Sequence, residues 1–189
     1  MIPLALCSFA ALAIIVQRAL ALRRGLTMPE PLLDALNEPA EDLDFLARQA
    51  QRDRSPLGRI IRAALLPHHR SREEAAEAAQ ATAREELVRL QTGLSALEVI
   101  ITIAPLLGLL GTVSGLVTVF SGIGSTDGQA PASATGIARG IAEALNTTIA
   151  GLAIAVPTVV AHSFFHKKIE RMAVRMEVLL QSLIHRAFR

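Results

Sequence analysis

Hydrophobic and polar positions fall into separate blocks along this chain, and one block sets the pattern for the rest. From Ile100 to Val119 there is no charge. With Val99 and Phe120 on either side, the run is long enough, at about 1.5 Å per helical residue, to cross a hydrocarbon core of about 30 Å. Within it Gly108, Gly111, Thr112, Gly115 and Thr118 recur at steps of three and four and so share one helix face. Leu106, Leu107, Leu109, Leu110, Val113 and Leu116 occupy the remaining faces, which suit lipid or apolar helices. The glycine face lets a second backbone approach closely. A transmembrane helix over 99–120 with one close-packing side is predicted.

The other blocks arrange themselves around it. Residues 1–22 are apolar apart from Ser8, Gln17 and Arg18, and Arg23 and Arg24 follow them. A secretory signal carries its positive charge before the apolar stretch; here the charge comes after, which predicts a first span with its N-terminus outside and Arg18 snorkelling to the interface. Over 23–70 the prolines at 29, 31, 39, 56 and 67 cut a polar region into short cytoplasmic helices. Ser71, with Glu74 three residues on, forms a capping box that opens a long Ala/Glu/Arg/Leu helix. Its cytoplasmic part covers 71–98, and it is expected to run unbroken through the second span.

Residues 121–136, rich in Gly, Ser, Ala and Pro, read as a periplasmic loop. A third span is expected over 137–162 and a cytoplasmic helical tail over 163–189. In that tail Ile169, Met172, Ala173, Met176, Leu179, Leu180 and Leu183 form an apolar face able to pair with the 72–98 helix. The fold class predicted is an all-α integral membrane protein of three transmembrane helices, two of them extending far into the cytoplasm as a helical bundle.

Charge sets the orientation. Of the 19 basic residues, 12 lie between Arg18 and Arg89, six between Lys167 and Arg189, and only Arg139 falls between the second and third apolar runs. The positive-inside bias therefore places the 18–98 region and the C-terminus in the cytoplasm and the 121–139 loop outside. The net charge of +2, with acidic and basic residues interspersed, argues against a nucleic-acid partner. The chain has no Trp and no Tyr, so aromatic belts at the interfaces fall to its six Phe residues or are absent.

Little in the chain suggests an enzyme. Cys7 stands alone in an apolar run and is read as a packing residue. His162 and His166, four apart, lack a carboxylate partner for a metal, and no phosphate loop, nucleophile elbow or paired-carboxylate site is present. No cofactor is expected.

The candidate chemistry lies in the polar residues of the spans. An Asp at a helix centre costs about 2.5–3.5 kcal/mol on the insertion scale, so an ionisable group there normally faces a cavity or a partner. Glu143 is such a group. It either pairs with Arg139, four residues back, or borders a water-filled, ion-conducting interior. Thr147 lies four residues on and Thr148 five, next to a small-residue stripe that includes Gly151 and Ala155. Thr112 either bonds its own helix carbonyl four residues back or faces a polar partner. Three helices leave no lumen, and threonine does not titrate in the physiological range. A proton path would need several copies and a second subunit to supply a carboxylate.

At Ala104 to Val117 (APLLGLLGTVSGLV) and Ile141 to Val160 (IAEALNTTIAGLAIAVPTVV) the chain resembles the ExbB/TolQ proton-channel family, with MotA as a more distant relative. The resemblance implies a homopentamer around the single-span helices of an ExbD-like or TolR-like partner whose Asp carries protons. The polar lining would include residues matching Thr112, Thr148 and Glu143, with Thr147 alongside. Proton flow would drive work across the envelope through a TonB-like or TolA-like protein in the bacterial inner membrane. Departures are the first span beginning almost at Met1, Gln17 and Arg18 where relatives often carry a Glu-Arg pair, and one span fewer than MotA. A structural membrane scaffold, in which the small stripes only pack helices, is the alternative. A substrate transporter would need repeated halves or broken helices, which the sequence does not show.

Overall fold

The computed structural model describes residues 2–37, 43–66, 71–124 and 134–188. Among these, every regular element is a helix: α1 (Ile2–Ala21), α2 (Arg24–Thr27), α3 (Glu30–Asn37), α4 (Leu43–Arg52), α5 (Pro56–Ala64), α6 (Arg72–Gln91), α7 (Leu94–Gly124) and α8 (Ala134–Ala187). Three stretches, Ile2–Ala21, Arg72–Ser121 and Ala134–Ala187, are long and apolar enough to cross a membrane. The protein is an all-α integral membrane protein. Most of the expected outer loop, residues 125–133, lies outside the described residues, as do His68 and His69.

One helix was expected from Ser71 through the second span; the chain instead forms two, α6 and α7, with Thr92 and Gly93 between them. Thr92 caps α6, its N–H bonded to the Val88 and Arg89 carbonyls, and Gly93 takes φ 88°, a conformation that only glycine adopts at little cost. The Gly93 carbonyl then accepts from Leu97 and starts α7. Pro105 and Pro157 do not interrupt α7 and α8; membrane helices tolerate such residues where neighbouring groups re-satisfy the backbone.

The chain divides into two compact units, Met1–Val16 with Gly93–Ser163 and Gln17–Thr92 with Phe164–Arg189. In the first, Leu4 and Ala11 of α1 are buried with Ile100 and Ala104 of α7. Cys7, Ala10, Ile14, Leu107, Ala150 and Ile154 pack around them. Cys7 serves there as a small apolar side chain.

The second unit is built on large side chains. Leu22, Leu32, Leu46, Leu57, Ile60, Ile61, Ile169 and Leu183 are almost fully buried. Met176, Leu179, Leu180 and Leu183 of the α8 tail gather with Leu36 of α3 and Leu57, Ile60 and Ile61 of α5. Helix α6 buries only Ala75, Ala79 and Glu86, so it has no bulky stripe to offer. Two longer-range bonds tie the tail down: Arg186 donates to the Leu36 carbonyl at 2.9 Å, and the Thr27 hydroxyl donates to the Met172 sulfur at 3.3 Å. Arg18 reaches the Leu90 carbonyl at 3.4 Å.

Local signals set the helix starts. The Ser71 hydroxyl accepts from the Glu74 N–H at 3.2 Å, and the Ser55 hydroxyl accepts from the Gly58 N–H at 3.1 Å, with Pro56 in the first turn of α5. Helices α5 and α6 are then clamped by charge. Arg59 donates through Nε to Glu86 Oε1 at 2.6 Å and through Nη2 to Oε2, a bidentate pair, and through Nη1 to the Arg54 carbonyl at 2.6 Å. Glu86 is 2% exposed. The hydrogen bond to Glu86 raises the Arg59 pKa above the ordinary guanidinium value, so this half of the clamp would be lost only as pH rises beyond the range where a free guanidinium deprotonates. The guanidinium is therefore charged at any pH the protein meets.

Removing Glu86 leaves the partly exposed Arg59 charge without its carboxylate. Glu86→Ala is expected to destabilise the second unit by about 2–3 kcal/mol, less than the roughly 3–5 of a fully buried pair because Arg59 is partly exposed. Thermal unfolding followed by circular dichroism should show a lowered midpoint. An unchanged midpoint would mean the pair contributes nothing to stability.

Candidate functional site

In water apolar side chains hold helices together, but lipid tails are as apolar as leucine, so spans associate through close packing and hydrogen bonds. Helices α7 and α8 meet that requirement through their small residues. A methyl group at Gly108 would lie 2.8 Å from the Thr147 carbonyl oxygen and 3.0 Å from the Thr148 Cα, and one at Gly151 would lie 2.6 Å from the Ala104 carbonyl oxygen. Carbon atoms do not approach this closely, so both positions require glycine. A methyl at Gly115 would come 2.8 Å from the Ala144 Cβ, and one at Gly111 2.5 Å from the Thr147 hydroxyl. Ala155, a turn beyond Gly151, is buried as well.

The hydroxyls along this contact take different parts. Thr147 lies across it, its Oγ1 2.9 Å from the Gly108 carbonyl of α7 and 2.7 Å from its own helix's Ala144 carbonyl, so its proton is engaged in helix packing. Thr112 is 9% exposed and donates to the Leu109 carbonyl at 2.7 Å, three residues back, one short of the expected step. Thr148 is half-buried, with its backbone against Gly108. Thr158, not singled out in the sequence, is 2% exposed and donates to the Ile154 carbonyl at 2.7 Å. Its burial could have been anticipated from its place seven residues after Gly151 on the same helix face.

Glu143 stands apart from these. It is exposed, as are Arg139 and Asn146 on the same side of α8, and no ion pair joins Glu143 to Arg139 among the described residues. At about 100° per residue, Glu143 and Thr148 point roughly 140° apart around the helix. A second exposed flank of α8, formed by Leu145, Ile149, Leu152 and Val156, is apolar, as is the Leu106, Leu110, Val113 and Val117 side of α7.

Paired spans joined through glycine, with hydroxyls along the contact and a carboxyl on its flank, define a polytopic α-helical membrane protein whose spans carry a few polar groups. The chain belongs to the MotA/TolQ/ExbB proton channel family, whose model matches residues 52–178. It is 40% identical over 158 residues to the biopolymer transport protein ExbB-like 1 of Synechocystis sp., covering 82% of this chain and 62% of that one. With ExbB-like 3 of the same organism it shares 33% identity over 170 residues, 87% of this chain and 79% of the other. It is also 29% identical to the Tol-Pal system protein TolQ of Pseudomonas aeruginosa over 206 residues, 98% of this chain and 86% of that one. The chain spans only 62% and 52% of the length of two relatives it matches, ExbB-like 1 and an ExbB homolog of Methanothermobacter thermautotrophicus.

The close contact makes a direct prediction. Gly108→Val or Gly151→Val forces α7 and α8 apart and is expected to cost about 1–3 kcal/mol or more of stability, as overpacking does. Thermal stability and the size-exclusion profile in detergent measure it. Wild-type behaviour of both variants would show that the helices do not touch at these residues.

Proposed function

We propose that the protein is a proton-conducting subunit of a bacterial inner-membrane motor, with its N-terminus in the periplasm and its C-terminus in the cytoplasm. Copies form a ring, a pentamer by resemblance, around the single span of an ExbD-like or TolR-like protein that supplies an Asp. Proton flow drives a TonB-like or TolA-like protein. Thr112 and Thr148 line the path, Glu143 stands at its outer mouth, and Thr147 holds α7 to α8 beside it.

The observation that carries this reading is the glycine contact, which binds the two helices bearing Thr112 and Thr148 together within the two motifs that resemble the family. The relatives' names, biopolymer transport and the Tol-Pal system, supply the class of work. The basic residues after the first and third spans support the orientation. A path through this chain needs a carboxylate from outside it: residues 99–120 contain no ionisable group, and 144–161 contain none either.

A second reading has its own support. The hydroxyls of Thr112 and Thr147 both donate to helix carbonyls, as they would in a scaffold that only packs helices. Proton uptake into vesicles holding the complex separates the two. Thr148→Val should lower flux by at least about tenfold, the size of a lost general acid–base or relay contact, while the complex still purifies intact. Full flux in both Thr112→Val and Thr148→Val would leave the scaffold reading.

A further inference from the structure

Between Arg89 and Asp127 the chain carries a single charged side chain, Glu98. Helices α7 and α8 run antiparallel, with Ala104 against Gly151 and Gly115 against Ala144. Six residues inward of the first of these contacts on both helices, Glu98 reaches the depth of Pro157. Helix α8 carries no Lys or Arg until Lys167, about 15 Å further along its axis at about 1.5 Å per residue. The Glu98 carboxyl thus lies at a depth where the neighbouring helix is still in its apolar run. An ionised group there is costly unless it meets water or a partner.

Glu98 shares a helix line with Thr112. Glu98, Pro105 and Thr112 recur at steps of seven, and Thr102 stands one turn outward of Glu98. At about 100° per residue Glu98 is roughly 40° from Thr112 around α7 but about 160° from Ile100, which packs against α1. It therefore looks to the side of α7 away from α1. Glu98 and Thr102 are exposed in the single chain, and among the described residues Glu98 forms no ion pair. Two polar atoms lie between Glu98 and Thr112 along this side. The Thr102 hydroxyl donates to the Glu98 carbonyl at 3.1 Å, which leaves its oxygen lone pairs for a second donor. Pro105 has no N–H, so the Ile101 carbonyl lacks its usual helix partner. About 10 Å of helix then separates Pro105 from Thr112, a length that a partner's carboxyl side chain and a few waters span.

We propose that Glu98 is the proton acceptor at the inner end of the path. Its carboxylate takes the proton that the partner's Asp releases beside Thr112 and becomes the neutral acid. It then hands that proton to water on the inner side, which restores the carboxylate. The Thr102 hydroxyl and the Ile101 carbonyl accept hydrogen bonds from the water in between. The inference rests on the proton-conducting function proposed above and adds to it an inner group, as Glu143 is the outer one. The other titratable groups among the described residues of this unit stand elsewhere. His162 lies five residues inward of Pro157 on α8, beyond Glu98 on the way out. Arg139 and Glu143 lie toward the outer end, and Cys7 sits in the α1 cluster on the far side of α7.

Proton flux into liposomes holding the assembled complex tests this role. Glu98→Gln should lower flux at least about tenfold with the complex intact, the size of a lost proton-transfer group, while Glu98→Asp keeps most of it. In Glu98→Ala, formate supplied on the inner side should restore flux and nitrate should not. Both are small planar anions, but formate has the basicity of a carboxylate and nitrate has almost none. Full flux in Glu98→Gln would overturn the proposal, as would equal rescue by nitrate, since negative charge alone would then be what the site needs. A Glu98→Gln complex that falls apart would overturn it too, because the carboxyl would then serve to hold subunits together. Full flux in Glu98→Gln beside low flux in Thr148→Val would remove Glu98 and leave the channel reading in place. Full flux in Glu98→Gln, Thr112→Val and Thr148→Val alike would remove both.

Discussion

Two helices in lipid have no water to flee from, so the contact between α7 and α8 must come from how closely their backbones approach. Gly108 and Gly151 permit that approach, and the rest of the first unit depends on it. The Thr147 hydroxyl reaches the Gly108 carbonyl only because no side chain stands between them. The same contact sets the register, Gly115 against Ala144, and so decides which polar residue of one helix lies at the depth of which on the other. A methyl group at either glycine would shift this depth relation as well as weaken the packing.

The second unit obeys different physics. There water drives burial, and the core is made of Leu, Ile and Met side chains from α3, α5 and the α8 tail. Helix α6, rich in Ala, Glu and Arg, has little apolar surface to bury. It is held instead by Glu86, whose two oxygens take the Arg59 guanidinium in a planar fork. A buried pair of this kind is weak evidence of net stability, since desolvation offsets much of the attraction. Its geometry does set which turn of α6 faces α5.

Much of this could be read from the residues. The spans follow from uncharged length, the Ser71 cap from its spacing to Glu74, and the family from two adjacent motifs. What could not be read involved partners distant in sequence or choices between neighbours. Gly93 looked like an ordinary glycine in a helical pattern, a position usually tolerated, until its φ of 88° marked the break. The tail's apolar face was plain, but its meeting with Leu36 of α3 and with Leu57, Ile60 and Ile61 of α5 joins residues more than 100 positions apart. Thr147 and Thr148 are adjacent and about 100° apart, so the sequence could not say which would turn into the contact until the register was fixed. Arg59 and Glu86 are 27 residues apart, and no periodicity links them.

The distribution of ionisable groups by depth bears on the proposed mechanism. Arg139 and Glu143 lie near the N-terminal end of α8, where water or headgroups can reach them at small cost, and the next Lys or Arg along α8 is Lys167, after the apolar run. The only polar side chains in the middle of both long spans are hydroxyls, with no ionisable group over 99–120 or 144–161. A hydroxyl can pass a hydrogen bond along but cannot hold a proton from one moment to the next, so a motor built on this chain has no storage group of its own at mid-depth. An Asp brought by a partner would meet there a surface of threonine and close-packed glycine, polar enough to accept a hydrogen bond and dry enough to raise its pKa toward the neutral range. On the proposed function, then, this chain supplies the medium that tunes the carboxylate and the partner supplies the group that changes state.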